Sequence, residues 1–184
     1  QFDHIKLLKE TGHNSFRTSI QWSRLIPDGV GEVNQKAVDF YNNVIDELIA
    51  NDVLPIMNLF HFDMPMCMQE KGGWESREVV DAYAAFAKKC FELFGDRVKH
   101  WMTFNEPIVP VEGGYLYNFH YPNVKDGKRA AQVAFHTMLA NAKAIKEYKE
   151  LGQDGQIGIV LNLTPSYPRS TENEADVKAA HIAD

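Results

Sequence analysis

Thr103-Phe104-Asn105-Glu106-Pro107 sets a carboxylate beside an amide, directly before a proline that breaks any regular element. A glutamate just past the end of a strand can give or take a proton. Aromatic walls would strip its hydration and help it keep that proton near neutral pH. Asn105 can both donate to and accept from a substrate hydroxyl. The plainer readings are a solvated loop glutamate and an asparagine satisfying backbone groups at a strand end. Arg17 falls in the middle of a predicted strand. There it either closes a buried ion pair or orients, and keeps ionised, a second carboxylate in a site. His61 could donate to a hydroxyl or bind a metal. A metal held by His61-x-Asp63 would need further histidines at strand ends, and the other three predicted strands end without one. Asp63, before Met64-Pro65, reads as a turn-fixing residue. Trp22, Phe62 and Trp74 could stack on a sugar ring, although each is individually of a type found more often in cores.

Elements of definite type must carry these groups. Residues 1–11 read as the end of a helix, with Ile5 and Leu8 inward and Gly12 as the stop. Asn14 to Trp22 alternates like a strand: Phe16, Thr18, Ile20 and Trp22 on one face, Arg17, Ser19 and Gln21 on the other. From the N-cap type Asn34, a helix shows Ala37, Val38, Tyr41, Val44, Ile45, Leu48 and Ile49 on one side. Val53 to Phe60 is a nearly unbroken apolar run, as in a strand covered on both faces, and it empties into His61-Phe62-Asp63. The next helix, near Ser76, turns Val79, Val80, Tyr83, Ala87, Cys90, Phe91 and Phe94 inward and ends at Gly95. After the strand bearing Asn105-Glu106, residues 108–125 are rich in Gly, Tyr, Asn and Pro and read as a long functional loop. A helix from Lys128 to Leu151 is expected to bury Ala131, Phe135, Met138, Ala142, Ile145 and Tyr148. A fourth strand spans Gln156 to Leu163, and the capping box Thr171-x-x-Glu174 opens a last helix.

The chain has 184 residues and reads as one domain over 1–184. Its formal net charge of -6, without a basic run, argues against nucleic acid or an anionic membrane as partner. Two cysteines, Cys67 and Cys90, are too few for a disulfide framework and lack metal-ligand spacing. The sequence offers neither a signal peptide nor an apolar run long enough to span a bilayer, which fits a reducing, cytoplasmic setting.

A helix followed by four strand–helix units forces parallel strands. The phosphate-binding glycine motifs of doubly wound sheets are missing. Three successive strands instead end in chemistry-bearing residues: Gln21-Trp22, His61-Phe62-Asp63 and Asn105-Glu106. That is the habit of a barrel, so the expected fold is α/β, a partial (β/α)8 TIM barrel of four parallel strands with the first and last three strands missing.

Phe16 to Arg24 (FRTSIQWSR), the helix from Asn34 through Phe40-Tyr41, HFDMP at His61, GGW at Gly72 and TFNEP at Thr103 together resemble glycoside hydrolase family 1, the β-glucosidases and 6-phospho-β-glucosidases. The likeness covers nearly the whole chain in order. It implies a retaining (β/α)8 barrel without a cofactor. By the same resemblance Glu106 is the general acid/base, Asn105 contacts the sugar 2-hydroxyl, His61 binds the glycone and Arg17 positions the nucleophilic glutamate. Phe62 stands where plain β-glucosidases commonly have tryptophan. With residues 113–127 it looks more like the bacterial 6-phospho group, so the expected partner is a β-glucoside or 6-phospho-β-glucoside. The family's nucleophile lies in a Glu-Asn-Gly motif, and none occurs here. The expectation for these residues alone is therefore little or no hydrolysis, with self-association through exposed sheet edges. A non-catalytic carbohydrate-binding fragment and a metal-dependent barrel hydrolase are the alternatives.

Overall fold

The computed structural model describes residues 3–184; the first two residues of the expected 1–11 helix lie outside them. The elements are α1 (Asp3–Glu10), β1 (Ser15–Ser19), α2 (Trp22–Leu25), α3 (Gln35–Ala50), β2 (Leu54–Phe60), α4 (Met66–Glu70), a 3₁₀ turn (Gly73–Glu75), α5 (Arg77–Phe94), β3 (His100–Asn105), α6 (Ile108–Tyr115), α7 (Gly127–Glu150), β4 (Gln156–Val160) and α8 (Glu174–Ala183). All four strands are parallel and neighbour one another in chain order. Each helix returns the chain to the same end of the sheet, so every strand's C-terminal tip opens on one side.

The helices cover one face. Met57, Leu59, Trp101 and Thr103 point into that layer and are fully buried. An aromatic cluster fills it near the strand tips: Tyr83 lies 4.9 Å from Phe104 and 5.5 Å from Trp74, centroid to centroid. Such edge and tilted pairs add about 0.5–1.5 kcal/mol each beyond the area they bury. Every residue expected inward on α5 is buried, Cys90 included. On α3 the same holds for Ala37, Val38, Tyr41, Ile45 and Leu48, while Ile49 reaches solvent. Asn34 caps α3 as expected, its side chain accepting from the Lys36 N–H. The opposite face carries Arg17, Ser19, Asn58 and Met102, and Arg17 there is exposed. Ser19 pairs with Asn58, and Asn58 with Met102.

Five expectations change. The alternation in 14–22 runs past the true strand, which ends at Ser19; Trp22 opens α2 instead. Residues 108–115 are helix, although they hold Pro110 and two glycines. Those glycines are needed for close approach, because a Cβ on Gly113 would meet the Phe119 ring and His120 at 2.6 and 2.8 Å. On α7 the buried residues are Ala130, Val133, His136, Thr137, Ala140, Ala144 and Tyr148. Phe135 and Met138 face outward, because the helix meets α5 through small side chains that let the backbones close in. Finally, β4 stops at Val160, and α8 is capped by Asn173, which accepts from the Ala175 N–H, rather than by Thr171.

Candidate active site at the strand tips

Glu106 sits one residue beyond β3. Its strand is locked from the helix side, where the Tyr83 hydroxyl donates to the Thr103 carbonyl and the Thr103 hydroxyl donates to Asn141 Oδ1 at 2.6 Å. Beyond the strand the backbone turns sharply: Glu106 has φ +43°, a left-handed conformation that a residue with a Cβ rarely adopts. Pro107 follows and α6 begins. That helix is fixed by a clamp in which Arg129 donates to both oxygens of Glu75, at 2.8 and 2.7 Å, and the Tyr115 hydroxyl donates to the same carboxylate at 3.0 Å. The guanidinium holds the Glu75 carboxyl below its usual range.

Asn105 is almost fully buried, and its Oδ1 accepts from the Arg17 guanidinium at 3.2 Å. This contact joins β1 to β3 across the tip of β2. Arg17 is largely exposed on the face opposite the helices, and among the described residues no carboxylate lies within ion-pair distance of it. The reading of Arg17 as half of a buried ion pair therefore does not hold. What remains is a guanidinium on that face beside the amide that precedes Glu106.

His61 stands at the tip of β2. Asn58, buried at the same strand end, donates to the Phe60 carbonyl at 2.8 Å and reaches the Ser19 hydroxyl at 3.4 Å. Ser19 Oγ lies 3.5 Å from His61 Nδ1. The serine hydroxyl can donate to Nδ1, and in that tautomer Nε2–H is the donor that His61 would offer a ligand. Asp63 fixes the turn as expected. Oδ1 accepts from the His61 N–H and Oδ2 from the Trp22 N–H, both at 3.1 Å. Both oxygens thus accept from backbone. No group of three His, Cys, Asp or Glu side chains among the described residues could hold a metal ion.

Phe62 shares with Glu106 the left-handed backbone, at φ +71°. Its half-buried ring stands edge-on to His61 at 5.1 Å and to His120 at 5.6 Å. It stands beside His61 at the same strand tip. Trp22 does not. It is completely buried, stacked on Phe86 at 5.4 Å, with its indole N–H donated to the Gly29 carbonyl at 3.0 Å. A ring so placed cannot meet a sugar, because the strand it was expected to extend has already become a helix. Trp74 is likewise core, packed against Phe60 and Phe104.

Two polar contributors escaped the sequence reading. Asn58 could be read only as part of an apolar run. Asn162, beyond the end of β4, donates to Glu106 Oε2 at 3.3 Å. A groove of about 1050 Å³ takes in Arg17, Ser19, Gln21 and His61 but not Glu106. Most of its wall is apolar, from α1 and α3, so it follows the unpaired edge of β1 more than it outlines a sugar pocket.

The sequence model of glycosyl hydrolase family 1 matches residues 2–184. The chain is 69% identical over 182 residues to the 6-phospho-beta-glucosidase GmuD of Bacillus subtilis (strain 168), covering 99% of this chain and 39% of that protein. It is 44% identical over 181 residues to a 6-phospho-beta-galactosidase of Clostridium acetobutylicum, covering 98% of this chain and 38% of that protein. A solved family 1 β-glucosidase from Thermotoga maritima superposes with a TM-score of 0.92 at 40% identity, over 98% of this chain and 40% of its own. The chain thus spans about 40% of the length of the relatives it matches, and its four strand–helix units are part of their barrel.

Proposed function

Because the chain belongs to glycoside hydrolase family 1, we propose that within a complete barrel it takes part in retaining hydrolysis of β-glucosides, with 6-phospho-β-glucosides as the substrates. The 6-phospho form is supported by the 69% identity to a protein of that description and by Phe62 at the tip of β2. The observation that carries the reading is the junction of three strands: Arg17 on Asn105, Asn105 before Glu106, and His61 at the tip of the intervening strand, beside Ser19.

In this reading Glu106 gives its proton to the glycosidic oxygen as the bond from that oxygen to C1 breaks. A second carboxylate, about 5 Å from the first and contributed from outside these residues, attacks C1 and forms a glycosyl ester. Water then attacks C1, its proton passes to Glu106, and the ester bond breaks to release the sugar. In the same reading Arg17 would stand beside that second carboxylate, and its charge would keep the nucleophile ionised. His61 and Asn105 would bind hydroxyls, and Phe62 would form the flat wall beside them. Free thiols at Cys67 and Cys90 are in keeping with a cytoplasmic setting. No helix among the described residues is long and apolar enough to cross a membrane.

The test uses a complete barrel in which residues 1–184 replace the matching segment of the B. subtilis relative. Glu106→Ala should cut kcat at least about 100-fold on substrates with poor leaving groups. An activated aryl substrate should still form the glycosyl-enzyme, and azide should restore turnover. Full activity of the variant on poor leaving groups overturns the assignment.

By themselves the 184 residues are proposed to hydrolyse little and to self-associate, since β1 and β4 each end the sheet with an unpaired edge. Light scattering that returned a stable monomer would count against this.

A further inference from the structure

We infer that Asn162 is a positioning residue for Glu106 and decides which of its two carboxyl oxygens carries the proton; the inference rests on the acid/base reading above. Glu106 is gripped twice by the end of β4. Its backbone N–H donates to the Val160 carbonyl at 2.9 Å, and its Oε2 accepts from Asn162 Nδ2 at 3.3 Å. The β3–β4 register slips between Met102 and Asn105, which brings Asn105 opposite Val160 and Glu106 up to the residues just beyond the strand. The left-handed backbone at Glu106 has by then left the strand path, so the pleat no longer dictates where the side chain points. The two contacts from β4 do.

An amide NH₂ can only donate. The carbonyl oxygen of a carboxylic acid is a better acceptor than its hydroxyl oxygen, so a donor on Oε2 favours the acid form with its proton on Oε1. Asn162 thereby presents a single proton-bearing oxygen and removes the need to rotate the carboxyl group before each transfer. The charged or titratable side chains on the neighbouring tips are Arg17 from β1 and His61 and Asp63 from β2, with His120 beyond α6. Their hydrogen bonds go elsewhere: to Asn105, to Ser19, to backbone N–H groups and to the Tyr121 carbonyl. Among the described residues Asn162 is the one side-chain partner of Glu106, and it is itself exposed, so substituting it removes no buried packing.

Two variants in the complete barrel test the inference, with methyl and 4-nitrophenyl 6-phospho-β-glucosides as probes. Asn162→Ala should lower kcat on the methyl glycoside about tenfold, the scale of one hydrogen bond to a charged group, and spare the nitrophenyl substrate, whose leaving group needs little protonation. Azide should not rescue it, since Glu106 is still present. Asn162→Asp sets a second negative charge beside Glu106 and should move the alkaline limb of kcat/KM upward. Unchanged leaving-group dependence and an unmoved limb overturn the inference. If Glu106→Ala is impaired while both Asn162 variants match the parent, only the positioning role falls. If Glu106→Ala is fully active, the acid/base reading falls first.

Discussion

The first three strands and the fourth belong to one parallel sheet, yet they are held in different ways. Under β1 to β3 lies a layer of aromatic side chains with no exposed surface: Trp22, Tyr83, Phe86 and Phe104 are each completely buried. From β4 onward no side chain reaches that state. Every residue of β4 is at least partly exposed, and α8 buries none of its side chains. Leu161, Leu163 and Ile182 stand in solvent. Arg17, His61 and Asn105 are carried by the first region. The donor that aims Glu106 comes from the second. The chain therefore fixes where its candidate catalytic groups are more firmly than it fixes how the central one is turned.

The contrast can be broken most directly at Trp22. Trp22→Ala removes a fully buried indole, its stacking on Phe86 and its hydrogen bond to the Gly29 carbonyl, and should cost about 3–5 kcal/mol. Ile182→Ala, in α8, should change stability by less than about 0.5 kcal/mol. Urea unfolding of the two variants side by side checks both. Equal losses would erase the distinction between the regions.

Between these extremes lies Asp63, which ties the start of α2 to the tip of β2. Asp63→Asn leaves one of two backbone N–H donors without an acceptor and should cost about 1–2 kcal/mol. The cost should vary with pH. Burial pushes the Asp63 carboxyl up from its ordinary value of 3.8, more than the N–H donors of His61 and Trp22 draw it down. The folded state therefore binds this proton more tightly than the unfolded one. Its contribution is complete below the ordinary value and is lost as pH rises through the raised folded value. An asparagine cannot titrate, so the difference between parent and variant should be largest in acid and shrink towards neutrality. Unfolding curves across the acid range would show it, and a difference that grew with pH would contradict the sign.

Where the sequence pattern and the packing agreed, they did so because one face of an element was both apolar and covered. The α5 set from Val79 to Phe94 is the plain case, and Asn34 shows that a cap can be read from residue type and position. The failures have particular causes. Alternation in 14–22 continues through Ser19 into Trp22 because a helical turn and a strand can place the same two residues inward over so short a span. On α7 two apolar faces compete, and the larger residues, Phe135 and Met138, lost to the alanines that allow close contact with α5. The glycines of α6 spoke for a loop, while their real office is clearance for Phe119 and His120. Of the candidate site, Glu106, Asn105 and His61 stood out by strand-end position, Arg17 as a charge in mid-strand, and all four by the family resemblance; the structure brings Arg17 onto Asn105. Asn162 was not legible, because a register slip in the neighbouring strand pair leaves no mark in composition or spacing.

That every strand runs the same way has a practical corollary for anyone who mutates this chain broadly. The loops at the far end, such as 51–53 and 153–155, lie away from the candidate site; Lys99 pairs with Asp154 there, and a side chain on Gly155 would strike the Lys99 carbonyl. A saturation library should consequently sort by end of the molecule. Lesions at that pole would register as lost abundance, and lesions among the exposed residues of the strand tips would leave abundance unchanged.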